Sequence, residues 1–389
     1  MKTVIGIPAR GEDFFPRPQI TKEIWSKLES GSNLLLVAPR RVGKSSILLE
    51  LLDNPKEGYL IIYEDTEPVN SSNEFYKRLY NKVNEKFGGI KKYKNKIESF
   101  SKDLLSRIEA ISLKDVSVTL GESKISYKVE LEKMFNNLGL DDERLIILVD
   151  EFAQTVENII EDINESTAIN FLETNREIRL SPTLSKKVQF IYACSIGLEN
   201  IVSKFNGTKF INDLTPILVS PLTTQEAKFL MKTIITGNNI TLDDDAFNYL
   251  LKKIEWLIPF YFQIILDECG KVLKGDGSEI ITKVVIDLAI NNVLKYRLYF
   301  DNWFDRLRTA FKGKDFSFVK EVLNIASGNP TITSSEIFNL AVKYKLEDSY
   351  NNLLNTLKYD GYINNNDDPK IYRFNSPLLK EWWYRNVAN

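Results

Sequence analysis

The chain has 389 residues, is 43% hydrophobic and carries a formal net charge of −2, so it holds apolar material for two or three domains and no global field that would gather nucleic acid or acidic membrane. It contains no histidine, which excludes imidazole acid–base catalysis, histidine metal ligands and Ser-His-Asp triads, and leaves carboxylates, Lys, Arg and a bound metal ion to carry any chemistry. Its two cysteines, Cys194 and Cys269, are far apart, which fits a reducing compartment without a cysteine metal site. With no apolar run of membrane-spanning length, the expectation is a soluble cytoplasmic protein with no membrane partner.

Phe14-Phe15-Pro16-Arg17 precedes an amphipathic helix over 20–28. The next segment reads Leu34-Leu35-Leu36-Val37-Ala38-Pro39-Arg40-Arg41-Val42-Gly43-Lys44-Ser45-Ser46. Four apolar residues predict a buried strand, a tight turn follows, and Gly43-Lys44-Ser45 opens a helix over 46–52. This is the strand–loop–helix setting of a phosphate-binding loop. In such a loop the backbone N–H groups and the positive end of the helix point at the β- and γ-phosphates. The candidate nucleotide-holding stretch is Pro39, Arg40, Arg41, Val42, Gly43, Lys44, Ser45 and Ser46. Lys44 adds a mobile point charge, and the Ser45 hydroxyl is placed to hold Mg²⁺. The full pattern begins with Gly, where this chain has Ala38. Arg40 and Arg41 either bond phosphate or a partner carboxylate in the forked manner of guanidinium, or stay solvated outside the pocket.

Residues 58–63 read as a second buried strand ending at Glu64-Asp65, and 71–111 as helix. The Lys-rich patch Lys91-Lys92-Tyr93-Lys94-Asn95-Lys96 reads as a solvated helix or loop rather than a nucleic-acid contact. Alternation over 116–120 and 125–127 around Gly121-Glu122 predicts a small hairpin. Arg144-Leu145-Ile146-Ile147-Leu148-Val149-Asp150-Glu151 is an apolar run ending in two carboxylates. Such runs suit a parallel strand buried on both faces, and ligands of open α/β sheets bind at the carboxyl ends of strands. Asp150 then stands where a Mg²⁺ ligand is needed. Glu151 faces the γ-phosphate, able to orient and deprotonate an attacking water. A helix over 168–179 and strands over 188–193 and 215–219 complete an alternating α/β segment.

From 224 to 297 the chain reads as helix throughout. Beyond 301, helices fit 316–325, 335–344 and 349–359, and 361–374 reads as a hairpin with a polar tip, Asp367-Asp368. Three helices and a hairpin predict a winged helix-turn-helix. Its recognition helix, over 347–358, starts with Glu347-Asp348, and residues 301–389 hold twelve Lys/Arg against eleven Asp/Glu. DNA affinity depends on neutralising phosphates, so this surface favours protein contact over DNA.

On these motifs the chain resembles the archaeal-type ATPases of the STAND/AAA+ group of P-loop NTPases over nearly its whole length. The likeness rests on Phe15-Pro16-Arg17, on Ala38-Pro39-Arg40-Arg41-Val42-Gly43-Lys44-Ser45 and on Leu148-Val149-Asp150-Glu151-Phe152. It continues in Ala193-Cys194-Ser195-Ile196-Gly197, Ser220-Pro221-Leu222-Thr223, Pro259-Phe260-Tyr261-Phe262-Gln263 and Tyr372-Arg373-Phe374-Asn375-Ser376-Pro377 with Trp382-Trp383. The resemblance implies an α/β core with a P-loop NTPase parallel sheet over 1–222, carrying an insertion at about 71–140. It implies an extra strand between the phosphate-loop and Asp-Glu strands, a helical lid over 223–300 and a winged-helix domain over 301–389. Ser195 matches the sensor position that reads the γ-phosphate. Pro259 matches the lid proline near the adenine, although Leu257 stands where the family usually has Gly, and Arg17 matches a position in the opening box on the adenine side. Arg176 and Arg179 are on the helix after the Asp-Glu strand, as surface ion-pairing residues or as an arginine finger across a subunit boundary.

The expectation is an ATP- and Mg²⁺-dependent switch or assembly subunit with slow hydrolysis, in signalling or in defence against mobile elements, with a protein partner or a second copy meeting the lid or winged helix. Lys44 and Glu151 are the catalytic candidates, and Ser45 and Asp150 the metal candidates. Two rivals stand beside it: an origin-recognition-like ATPase that binds duplex DNA, and a partner subunit that binds ATP structurally and turns over little.

Overall fold

The computed structural model describes residues 1–115, 125–140, 142–195, 197–237, 240–242, 244–277 and 279–388, with the backbone alone at 111–115, 244 and 276. By their contacts these form two compact units. One comprises 17–37 and 44–218. The other comprises 1–16, 38–43 and 219–389, so it differs from a cut at 222 in carrying the first sixteen residues and the loop.

The first unit is built on a five-stranded parallel sheet. Its strands are β1 (Asn33–Val37), β2 (Tyr59–Asp65), β3 (Arg144–Asp150), β4 (Val188–Cys194) and β5 (Leu214–Leu218), in spatial order β2-β3-β4-β1-β5. The extra strand implied by the resemblance is β4, which separates β1 from β3. The three inner strands are nearly continuous runs of Leu, Ile, Val, Phe and Tyr because helices cover both faces. Leu145 to Val149 are completely buried one after another. Helix α1 (Pro18–Glu29) starts with Pro18, whose missing N–H is harmless there, and buries Ile20, Ile24, Trp25 and Leu28. Helix α2 (Lys44–Asp53) begins at the motif lysine.

Helices α3 (Ser72–Gly88), α4 (Lys91–Asp115) and α5 (Tyr127–Asn137) form the insertion, in which α3 packs on both of the others. The Lys-rich patch is the first turn of α4. Tyr93 within it is buried, and Lys92 pairs with Glu143. The hairpin expected over 116–127 falls mostly outside the described residues; Tyr127, its last position, opens a helix instead. After β3 come α6 (Phe152–Asp162) and α7 (Glu165–Leu180), then α8 (Leu198–Ser203) after β4.

In the second unit α9 (Thr224–Gly237), α10 (Asp244–Ile254), α11 (Pro259–Asp276) and α12 (Lys283–Lys295) form a helical group. The unbroken helical reading of this stretch needs correction. Two-residue strands β6 (Thr241–Leu242) and β7 (Ile280–Ile281) pair in parallel, extended by a bond from Thr241 N–H to the Glu279 carbonyl at 2.9 Å. Pieces so short carry no readable period. The N-terminal segment packs here, with Val4 N–H donating to Gln263 and Thr3 to Asp267.

Residues beyond 301 form α13 (Asp301–Ala310), α14 (Gly313–Gly328), α15 (Ser334–Tyr344), α16 (Tyr350–Tyr359) and α17 (Pro377–Asn386). A small antiparallel sheet joins β8 (Ile332–Thr333), β10 (Ile371–Phe374) and β9 (Ile363–Asn364) in that order. The helix expected from 347 starts only at Tyr350. Lys345 turns left-handed at φ 57° to end α15, and Glu347-Asp348 occupy the turn that follows. Thr333 and Glu336 form a reciprocal capping box on α15. Inside, Arg306 and Asp360 form a buried forked pair at 3.1 and 3.2 Å, and Trp303, Trp382 and Trp383 are almost wholly enclosed.

Candidate functional site

The carboxyl ends of β2, β3 and β4 and the start of α2 bring together Lys44, Ser45, Tyr63, Asp150, Glu151 and Ser195 in the first unit. Parallel pairing sets this up: Asp150 lies beside Ala193 of β4 and beside Asp65 of β2, so all three strands stop level. Asp150 is buried, with its carboxylate hydrogen-bonded by the Tyr63 hydroxyl and with the Ser45 hydroxyl and the Lys44 charge both acting to lower its pKa. Tyr63 donates to Oδ2 at 3.0 Å, and the Glu151 N–H donates to Oδ1 at 3.1 Å.

Burial pushes the Asp150 carboxyl up to about 6, and the neighbouring Glu151 charge adds to the rise, against the lowering effect of the Ser45 bond. Burial likewise raises the Tyr63 phenol, reinforced by Asp150, so it stays a neutral donor. Cys194 is fully buried with its thiol pushed up by desolvation, which leaves it inert.

Glu151 takes a left-handed backbone at φ 54°, the turn from which α6 departs. Its carboxylate does not point free into solvent: Oε2 accepts the Ser195 N–H at 3.1 Å, and Oε1 accepts the Ser195 hydroxyl in a short bond. Ser195, expected as a reader of the γ-phosphate, is here the residue that holds the candidate base.

The loop 38–43 joins β1 to α2 along the chain and packs within the second unit. Gly43 has φ 100°, a conformation closed to side-chain-bearing residues, so the motif glycine is required. Ala38 is buried and is not among the residues with positive φ, which is why Ala serves where the full pattern has Gly. Val42 is buried, and Pro39 comes within 3.3 Å of where a Cβ on Gly361 would stand. The Arg41 guanidinium lies over the Phe260 ring at 4.4 Å, and burial followed by the Arg40 charge lowers its pKa. Arg40 also sits within electrostatic reach of Tyr362. Pro259 is half-buried at the first position of α11, one residue before Phe260. Arg17 is buried at the N-cap of α1, and Ser46 is half-buried in the first turn of α2.

Arg179 is unsuited to act across a subunit boundary. It is enclosed in the first unit, forks onto Asp213 at 2.7 and 2.8 Å, and also donates to the Phe210 carbonyl. Arg176 pairs with the same Asp213 at 3.7 Å from a more exposed position.

The donors at Asp150 fit Mg²⁺. A serine hydroxyl and a carboxylate are hard oxygen ligands, and a buried carboxyl driven up by desolvation gains from a cation. Among the described residues no group of three or more carboxylates or cysteines gathers to hold a metal alone, so a cation here needs phosphate oxygens or water to complete its shell.

Sequence reasoning passed over Tyr63, Thr66 and Thr155. Tyr63 read as one more strand residue; its signal was a hydroxyl-bearing ring two positions before the strand end, level with the Asp-Glu strand.

No protein-family model and no curated protein match the chain. Among solved structures, the Walker-type ATPase of Pyrococcus abyssi superposes with a TM-score of 0.68 at 19% identity, covering 98% of this chain and 99% of that one. The ORC2 protein of Aeropyrum pernix, solved in ADPNP and ADP complexes, superposes at 0.58 with 10% identity, covering 96% and 95%. Among the described residues no helix is long and apolar enough to cross a membrane. At these identities the likeness is one of fold alone: a five-stranded parallel sheet in the order β2-β3-β4-β1-β5, followed by helices.

Proposed function

We propose that the chain binds ATP with Mg²⁺ and hydrolyses it slowly, as a molecular switch or assembly subunit. The observation that carries this is the buried Asp150 carboxylate at the end of β3, held by the Tyr63 hydroxyl at 3.0 Å, with the buried Lys44 charge acting on it and a second carboxylate one residue later. In this reading Lys44 and the amides of 39–46 hold the phosphates, Ser45 and Asp150 hold the metal, and Glu151 serves as base. Bound Mg²⁺ supplies charge neutralisation on the phosphate oxygens. Glu151 must first leave Ser195; its carboxylate then takes a proton from water as the water oxygen bonds to the γ-phosphorus and the bond to the β-phosphate oxygen breaks, giving ADP and phosphate. In this reading, holding the base on Ser195 slows basal turnover.

The segment beyond 301 reads as a winged helix used for protein contact, with a partner or a second copy. Arg373 of β10, a cation that a DNA-reading surface would present, is already paired with Asp367 at 3.0 Å and Glu255 at 2.8 Å. The domain division follows the same reading: sheet core, lid from about 223, winged helix from about 301. Roles in signalling or in defence against mobile elements belong to this proposal.

Calorimetric titration with a slowly hydrolysed ATP analogue and Mg²⁺ tests the binding step. The wild type binds, and Lys44→Ala loses at least about tenfold in affinity, the value of one desolvated charge–phosphate contact. No heat from the wild type at millimolar analogue would refute the reading.

A further inference from the structure

Tyr63 differs from the rest of β2 in what its polar end does. Leu148 and Asp150 share a face of β3, and Tyr63 lies beside Leu148 on the neighbouring strand. From there the phenol reaches Asp150 Oδ2 at 3.0 Å, while Oδ1 is met by the Glu151 N–H at 3.1 Å. Both oxygens are thereby engaged, and rotation of the carboxylate is blocked from two sides.

The backbone under it is fixed as firmly. The Asp150 carbonyl accepts both the N–H of Thr66 at 3.0 Å and its hydroxyl at 2.9 Å. Thr155 Oγ1, from α6, stands 2.7 Å from the Thr66 carbonyl and 2.8 Å from the Thr66 hydroxyl. Thr66 and Thr155 are completely buried. This latch spans the turn in which Glu151 is left-handed, a strained conformation that persists only where its surroundings hold it.

We infer that Tyr63 is a positioning residue for the metal-holding carboxylate of Asp150, with the Thr66–Thr155 latch fixing the backbone beneath. This rests on the Mg²⁺–ATP reading above. The phenol acts through Asp150: it holds Oδ2 so that the carboxylate meets the cation in one orientation, and the strand that carries it makes no other use of a hydroxyl at this place.

The test is a titration of a fluorescent ATP analogue with Mg²⁺ and, separately, with a chelator, for wild type, Tyr63→Phe, Asp150→Asn and the double variant. Tyr63→Phe keeps the ring and removes one oxygen. It should lose about tenfold of the Mg²⁺-dependent gain in affinity, as orienting partners of metal ligands commonly do, with the chelator value unchanged. In the Asp150→Asn background it should have no further effect. An undiminished gain in Tyr63→Phe, or an equal loss in both backgrounds, would overturn the inference. A drop in the chelator value matching the drop with Mg²⁺ would also overturn it, by marking a general loss of structure. A wild type that binds the analogue equally with and without Mg²⁺ would overturn the metal reading itself, and Tyr63 with it.

Discussion

Glu151 and Ser195 are joined twice, the carboxylate taking both the backbone N–H and the hydroxyl of the serine at the end of the neighbouring strand. The candidate base is therefore parked on the candidate sensor. A hydrogen bond to a charged group contributes about 1.5–3 kcal/mol, so Ser195→Ala should lower the unfolding free energy of the nucleotide-free protein by about that amount. With Mg²⁺ and a slowly hydrolysed ATP analogue present, the loss should shrink, because Glu151 has left Ser195. Denaturant unfolding in both conditions reads this out; an equal loss in both would show that the pair never separates.

The loop makes a matched pair of predictions. Ala38→Gly should leave analogue affinity within about twofold, because the Ala38 backbone already sits where any residue can sit. Gly43→Ala should cost about 1–2 kcal/mol or more in local strain at φ 100°, and analogue binding should fall below detection in the same titration. Equal tolerance at both positions would refute the assignment of Gly43 as the conformational pivot.

Arg179 is a structural residue. Truncating one partner of a buried pair costs about 3–5 kcal/mol because the other charge is stranded, so Arg179→Ala should lose that much stability through Asp213. Arg176→Ala, at a more exposed pair, should lose less than about 1 kcal/mol. Urea melts of the two variants decide between this and a catalytic role, in which Arg179→Ala would keep full stability and lose turnover.

The insertion carries an acid-sensitive tie. The Arg107 guanidinium grips Glu130 at 2.5 and 2.7 Å and, with help from Lys133, holds its carboxyl below the ordinary 4.5. For a depressed carboxylate the contribution is fully present above the unfolded value and is lost as pH falls through the folded one. Wild type should exceed Glu130→Gln by about 1 kcal/mol at pH 6–7, a figure reduced for the partial exposure of Arg107. The gap should close below pH 4.5. A gap that persists into acid would place its origin in packing.

What could be read from the residues follows from how local each signal is. Leu145 to Val149 announce a strand buried on both faces because five consecutive apolar residues leave no polar face for solvent, and Gly43-Lys44-Ser45 marks a helix start through backbone geometry alone. The Glu151–Ser195 join, the Tyr63 bond and the burial of Arg179 bring together residues dozens of positions apart, and nothing at one end announces the other. Arg179 looked like a surface charge because Asp213, its partner, lies 34 positions later in the chain. Helix 301–310 escaped notice because Asp, Asn, Arg and Thr alternate with its few buried residues, Trp303, Arg306 and Leu307, one of which is itself charged. The helix starts late, at Tyr350, because residues 347–349 are taken up by the turn that follows the left-handed end of α15 at Lys345.

The central claim is hydrolysis at Glu151. Phosphate release from Mg²⁺–ATP under single turnover, with wild type, Lys44→Ala and Glu151→Gln purified identically, measures it. Release should be slow from the wild type, at least about a hundredfold less from Glu151→Gln with analogue binding intact, with neither binding nor release from Lys44→Ala. Equal release from all three proteins would contradict it.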